Sequence, residues 1–142
     1  MADVSLVRNR LRKEIEQARR SEAERRDRAK QATTTFDIFL NDIAVPAFRH
    51  LANVLRAEGM LFDIQTPTDG VRLVADRNRE DVIELGLDRD ADPPRVILQS
   101  SRTRGGRTIR REQPVTERPG IDTITEDELL ERLFDELRPW LA

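Results

Sequence analysis

"RVILQSSRTRGGRTIRREQPV", Arg95 to Val115, decides how this chain folds. Two runs rich in branched residues flank Gly105 and Gly106, and a glycine pair suits the positive φ angles of a two-residue hairpin turn. With that pair at the turn, Arg104 stands opposite Arg107, Arg102 opposite Ile109, and Ser100 opposite Arg111. Side chains alternate along a strand, so Arg102, Arg104, Arg107 and Arg111 share one face with Val96 and Leu98, while Arg110 points the other way. A face that is apolar at one end and cationic at the other predicts a hairpin projecting beyond its core.

Upstream of the hairpin, "MLFDIQ", "VRLVAD" and "DVIELGL" are short and rich in β-branched residues, with "TPTDG", "RNRE" and "DRDADPP" as the turns or loops that follow them. The spacing predicts an antiparallel sheet of four or five strands, mostly a meander. Val71, Leu73 and Ala75 fall on one side of it and Val74 on the other, so part of the second face is expected to be covered by a partner or by the first helix. Downstream, "ITEDELLERLFDELRPWLA" predicts a closing helix packed on the sheet. Thr125 and Glu128 have capping-box spacing, and Leu129, Leu130, Leu133, Phe134 and Leu137 form its apolar stripe. Pro139 should end that helix and Trp140 anchor the tail.

The first 31 residues contain neither Gly nor Pro and are dense in Arg, Glu, Gln and Ala, which predicts a long helix. Val4, Leu11, Ile15, Ala18, Ala29, Ala32, Phe36, Phe39 and Ile43 fit one heptad frame, broken by Glu22 and Arg25. This pattern reads either as a self-association stalk or as a helix folded back on its own domain. A second helix follows, with Phe36, Phe39, Leu40, Ile43, Ala47, Leu51, Val54 and Leu55 as its stripe and Gly59 as its stop. Pro46 should kink it or mark a fresh start. The expected architecture is α+β, with residues 1–31 as an extended charged helix and 32–142 as one domain.

Composition narrows the chemistry. The chain has 142 residues and no cysteine, which removes disulfides, thiol catalysis and cysteine-based metal sites. No apolar run approaches the roughly 18 residues of a spanning helix, and charge interrupts the N-terminus before a signal-peptide core could form. A soluble, cytoplasmic protein is the expectation. The formal net charge is −2, yet residues 95–120 are strongly basic while 59–94 and 121–142 are acidic.

No catalytic constellation emerges. His50 is the only histidine, and its heptad position continues Ile43, which predicts a buried or boundary side chain. Asp88, Asp90 and Asp92 alternate as at the start of a calcium loop, but Pro93 and Gln99 occupy the positions that need Gly and Glu. Asp63, Asp76 and Glu84 could converge on one sheet face, with nothing to fix their separation. "SRTRGGRT" matches no phosphate-cradling pattern.

The sequence therefore points to a non-catalytic, cofactor-free protein–protein interaction module: an adaptor, scaffold or chaperone-like subunit. It would self-associate as a homodimer, or join a larger assembly, through Val4, Leu11, Ile15, Ala18, Ala29, Ala32, Phe36 and Phe39. Arg102, Arg104, Arg107 and Arg111 would meet an acidic partner. The alternative is a nucleic-acid-associated protein in which the hairpin and Arg8, Arg10, Arg12, Lys13, Arg19 and Arg20 form one continuous phosphate-binding track. Five Phe, one Trp and no Tyr, none of them in the hairpin, leave little for base stacking.

Overall fold

Five strands pair antiparallel in sequence order, each with its neighbour, in a computed structural model that describes residues 3–141. Met1, Ala2 and Ala142, included in the expected ranges 1–31 and 32–142, lie outside the described residues. The strands are β1 (Phe62–Gln65), β2 (Gly70–Ala75), β3 (Val82–Asp88), β4 (Arg95–Arg104) and β5 (Arg107–Pro114). Each lies within one of the branched-residue runs or overruns it by a single residue, because the turn-forming segments between them leave a meander as the only short connection. Val71, Leu73, Ile83, Leu85, Val96 and Leu98 are buried on one face, in register from strand to strand.

Three helices supply the other half of the structure. Helix α1 (Val4–Phe39) runs through a π-helical turn (Leu40–Ala44) into α2 (Val45–Ala57), and α3 (Glu126–Leu141) closes the chain. Phe48, Leu51 and Leu55 of α2 join Leu129, Leu133 and Leu137 of α3 in the core against the sheet. The architecture is thus α+β, one helical layer on a five-stranded antiparallel meander. No helix among the described residues is long and apolar enough to cross a membrane.

Local chemistry sets the helix ends. Asp3 caps α1 by accepting a hydrogen bond from the Ser5 N–H at 2.9 Å. The β-branched run Thr33–Thr35 stays helical with each hydroxyl donating to the carbonyl one turn back. At the end of α2, Gly59 takes a φ of 81°, and the Met60 N–H reaches the Leu55 carbonyl at 2.9 Å while the Gly59 N–H reaches Arg56 at 3.0 Å. That paired closure needs a residue free to adopt a left-handed conformation.

The π-helical turn changes the helix phase. It adds one residue to a turn, and the Val45 N–H bonds back to the Leu40 carbonyl, five residues away. The heptad frame that would carry Ile43 on to His50 is displaced by one, onto Ala44 and Leu51, both buried; Ala47, Leu51 and Leu55 of the expected second-helix stripe are buried, whereas Val54 is exposed. His50 is consequently exposed on α2, not buried or at the boundary. Pro46 sits just after the widened turn as α2 restarts, where a missing N–H and a bulky ring are easiest to accommodate.

Helix α3 also departs from its expected stripe. The Thr125 hydroxyl caps the Glu128 N–H at 3.2 Å, but the Glu128 carboxylate turns to Arg118 with two bonds of 2.7 and 2.8 Å. Phe134 is exposed, and Glu136 takes its place on the buried side. Pro139 does not end the helix, which runs to Leu141. So near the C-terminus, proline forfeits one backbone bond in the last turn and no more. Trp140 does anchor the tail, donating its indole N–H to Asp81 at 3.0 Å and meeting Phe62 edge-on.

The sheet has two distinct ends. Phe62, Ala75, Val82 and Ser101 mark one, beside the end of α2; the β3–β4 connection marks the other. Arg28 of α1 forms a two-pronged ion pair with Asp92 in that connection, both bonds 3.0 Å. Residues 4–21 are exposed throughout. Before Arg28, therefore, α1 leaves the domain and projects on the order of 35 Å into solvent.

Candidate functional site

The β4–β5 hairpin turns through Gly105 and Gly106, whose φ angles of 58° and 77° are the left-handed values a two-residue turn requires. Arg104 pairs with Arg107, Arg102 with Ile109 and Ser100 with Arg111. All four arginines of the expected set therefore share the face of Val96 and Leu98, and Arg110 lies on the reverse.

The hairpin outruns the sheet. Strand β3 stops pairing with β4 at Val82 and Ser101, so the Arg102–Ile109 ribbon is two-stranded and extends about 10 Å beyond its neighbours. Its root is held by Asp81. One carboxylate oxygen accepts the Thr103 backbone N–H at 2.9 Å, continuing the ladder where β3 has ended, and the other accepts the Trp140 indole. The Asn78 side-chain amide donates to the Thr103 hydroxyl.

Beneath the ribbon lies a buried carboxylate. Glu136, only 1% exposed, accepts a hydrogen bond from the Ser100 hydroxyl at 2.6 Å and another from the Gln113 amide. The Arg111 guanidinium stands 4.0 Å from the same carboxylate. Arg111 thus borders α3 at the limit of ion-pair distance, with its side chain still 55% exposed. Arg102, Arg104 and Arg107 have no carboxylate within ion-pair distance among the described residues. Ile109 lies among them, 39% exposed.

Along the expected self-association seam, the structure draws a division. Val4, Leu11, Ile15 and Ala18 are exposed on the projecting part of α1. Ala29 and Ala32 are half-buried, and Phe36 and Phe39 are buried in the chain's own core. The two phenylalanines are therefore unavailable to a second copy. Between the two groups, Glu22 is held down to about 2 by hydrogen bonding from Arg25, with Arg26 adding to the effect. The charged break in the seam is satisfied within its own helix.

Other candidates are occupied or dispersed. Asp63 pairs with Arg79 and Glu84 with Arg72 on the outer sheet face. Asp76 lies beyond the end of β2, its N–H bonded to Leu61. Asp88 caps the Asp90 N–H at 3.1 Å, and Arg28, hydrogen-bonded to Asp92, holds that carboxyl below its ordinary range. No cluster of three His, Cys, Asp or Glu able to hold a metal occurs among the described residues. Arg8, Arg10, Arg12, Lys13, Arg19 and Arg20 lie on the projecting helix, which leaves the sheet at the end opposite the Gly105–Gly106 turn.

Two residues central to this site, Asp81 and Glu136, are absent from the sequence-based expectations. Glu136 had only a partial signal: it continues the Leu129, Leu133 spacing, but the Ser100 and Gln113 donors that satisfy it lie far away in sequence. Asp81 had none, because only the unequal lengths of β3 and β4 leave the Thr103 N–H in need of an acceptor. Compared with protein-family models, curated proteins and solved structures, the chain gives no significant match.

Proposed function

We propose that this chain is a non-catalytic interaction module whose hairpin engages an acidic protein surface and whose projecting helix associates with a second copy. The observation that carries the first part is the trio Arg102, Arg104 and Arg107, gathered on one face of a projecting ribbon with no carboxylate partner among the described residues. Arg104 faces Arg107 directly, and such a like-charged cross-strand pair is relieved when carboxylates bridge it. The root at Asp81 and Glu136 holds the ribbon in place before binding, which lowers the ordering cost of the complex. The absence of cysteine suits a reducing compartment, and we place the protein in the cytoplasm.

Carboxylates are favoured over phosphates by the layout of positive charge. A track along nucleic acid would need the hairpin and the basic residues of α1 on one surface, whereas they occupy opposite ends of the domain. The ribbon also carries no aromatic residue to stack on a base.

Fluorescence anisotropy tests this reading. The titrants are a labelled glutamate-rich peptide, single-stranded DNA, duplex DNA and RNA, across a salt series, against the wild type and a variant with Arg102, Arg104 and Arg107 changed to Ser. Peptide binding that disappears in the variant is the expected result. Salt-sensitive binding of nucleic acid in its place would assign the ribbon to phosphates, and no binding of any probe would reduce it to a solvated tip.

A further inference from the structure

An acidic partner needs a surface that holds it, and the outer edge of β5 offers one. Strand β5 is the last in the sheet, and its first six residues, Arg107 to Glu112, are all exposed. In a two-residue hairpin, Arg107, Ile109, Arg111 and Gln113 exchange backbone bonds with β4. The N–H and C=O groups of Thr108, Arg110 and Glu112 point outward, to the free edge. Pro114 takes the next outward position, where the lack of an N–H breaks nothing in the existing ladder and stops any added strand.

We infer that β5 accepts an extended segment of the acidic partner as a sixth strand, with side chains in the order acid, any, apolar, any, acid. This inference rests on the acidic-partner reading. The alternation follows from the register. Residues of an added strand that lie beside Arg107, Ile109 and Arg111 project to the same face as those three. The outer two meet guanidiniums, and the middle one meets Ile109, an exposed isoleucine whose cross-strand neighbour is Arg102.

Charge also explains why such an edge stays open. Cationic side chains along an edge keep two copies of the same strand apart, the usual protection against edge-to-edge aggregation. Toward a strand of opposite charge the same side chains are attractive. The outer edge thus excludes its own kind and admits one class of partner, with backbone bonds supplying affinity and the Ile109 position supplying register. At the other margin of the sheet, β1 is only four residues long and carries Asp63, so it offers no equivalent.

The test uses the full chain and labelled peptides of about nine residues, long enough to span β5. One has Glu-Thr-Leu-Thr-Glu at its centre; a control of equal composition has Glu-Glu-Leu-Thr-Thr. A third carries N-methyl groups on the two central threonines, whose N–H groups would face β5. Strand addition predicts that the alternating peptide binds at least about tenfold more tightly than the other two. It also predicts slowed hydrogen exchange at the Thr108, Arg110 and Glu112 amides when that peptide binds. Equal affinity for all three, with unchanged exchange, would overturn strand addition and leave the acidic-partner reading standing. No binding of any of the three would overturn both.

Discussion

Glu136 holds α3 to the hairpin through a buried carboxylate with two neutral donors and one distant cation. Cutting it back to Ala leaves the buried Ser100 hydroxyl and the half-buried Gln113 amide without their acceptor. Each stranded group carries a desolvation penalty, so Glu136→Ala should lose about 3 kcal/mol of stability in urea titrations. Glu136→Gln retains one acceptor oxygen and should lose less. Gly106→Ala acts at the turn, where a φ of 77° opposes any Cβ; about 1 kcal/mol is the expected loss by the same titration. At this scale the sequence was most legible where backbone geometry was demanding. Two adjacent glycines have few explanations, and they set the register of eight residue pairs. A lone Glu within "LFDELRPW" has many, and its burial depends on partners over twenty residues away in sequence.

The elements respond to phase and to charge. Because the π-helical turn holds one residue more than an α-helical turn, deleting the exposed Asn41 should convert it to regular helix. Phe36, Phe39, Ala44, Ala47 and Leu51 would then lie on one unbroken seam, and the variant should melt close to the wild type. Deleting Arg49, equally exposed, rotates Leu51 and Leu55 away from Ala47 and Phe48. A penalty of several kcal/mol is expected, since each buried leucine contributes about 2–5 kcal/mol. The strands were legible because turn residues bracket them. The phase slip was not, because a π-helical turn has no composition of its own and Pro46 allows several outcomes.

Two ion pairs give stability a pH dependence. Arg118 holds Glu128, and Arg28 holds Asp92, below the ordinary carboxyl range, chiefly by hydrogen bonding to the ionised form. A carboxyl depressed on folding stabilises above its unfolded value of about 4, and that contribution fades as pH falls through the folded value. Arg118→Gln and Arg28→Gln should therefore lower the melting temperature at pH 7 and converge on the wild type near pH 2. A gap that persists at low pH would mean the arginines act through packing.

For the whole molecule, the decisive feature is polarity: the bare end of α1 at one extreme and the arginine ribbon at the other. Val4, Leu11 and Ile15 are well exposed on a helix with no tertiary contact along that stretch, an arrangement that gains from a second copy. Leu11 and Ile15 sit at d and a of the heptad, the combination that favours two strands. Light scattering should give a dimer for the wild type and a monomer for Leu11→Glu with Ile15→Glu, with the core melting unchanged. A wild-type monomer would confine function to the ribbon. The sequence conveyed the periodicity of α1 but not where packing stops, because Ala29 and Ala32 look the same whether they face a second helix or the chain's own domain.

The Asp81 anchor makes the molecule report on itself. Trp140 is the only tryptophan in a chain without tyrosine, so nearly all near-ultraviolet emission originates at the indole bonded to Asp81. Asp81 also holds the Thr103 N–H at the root of the ribbon. Strain transmitted along β4 therefore reaches the fluorophore through one carboxylate, whereas events on the far helix have no such route. A ligand that loads the ribbon should change the emission maximum or acrylamide quenching of unlabelled protein, and dimerisation through α1 should leave both unchanged. One carboxylate thus links the arginine ribbon to the only residue whose light can be followed in solution.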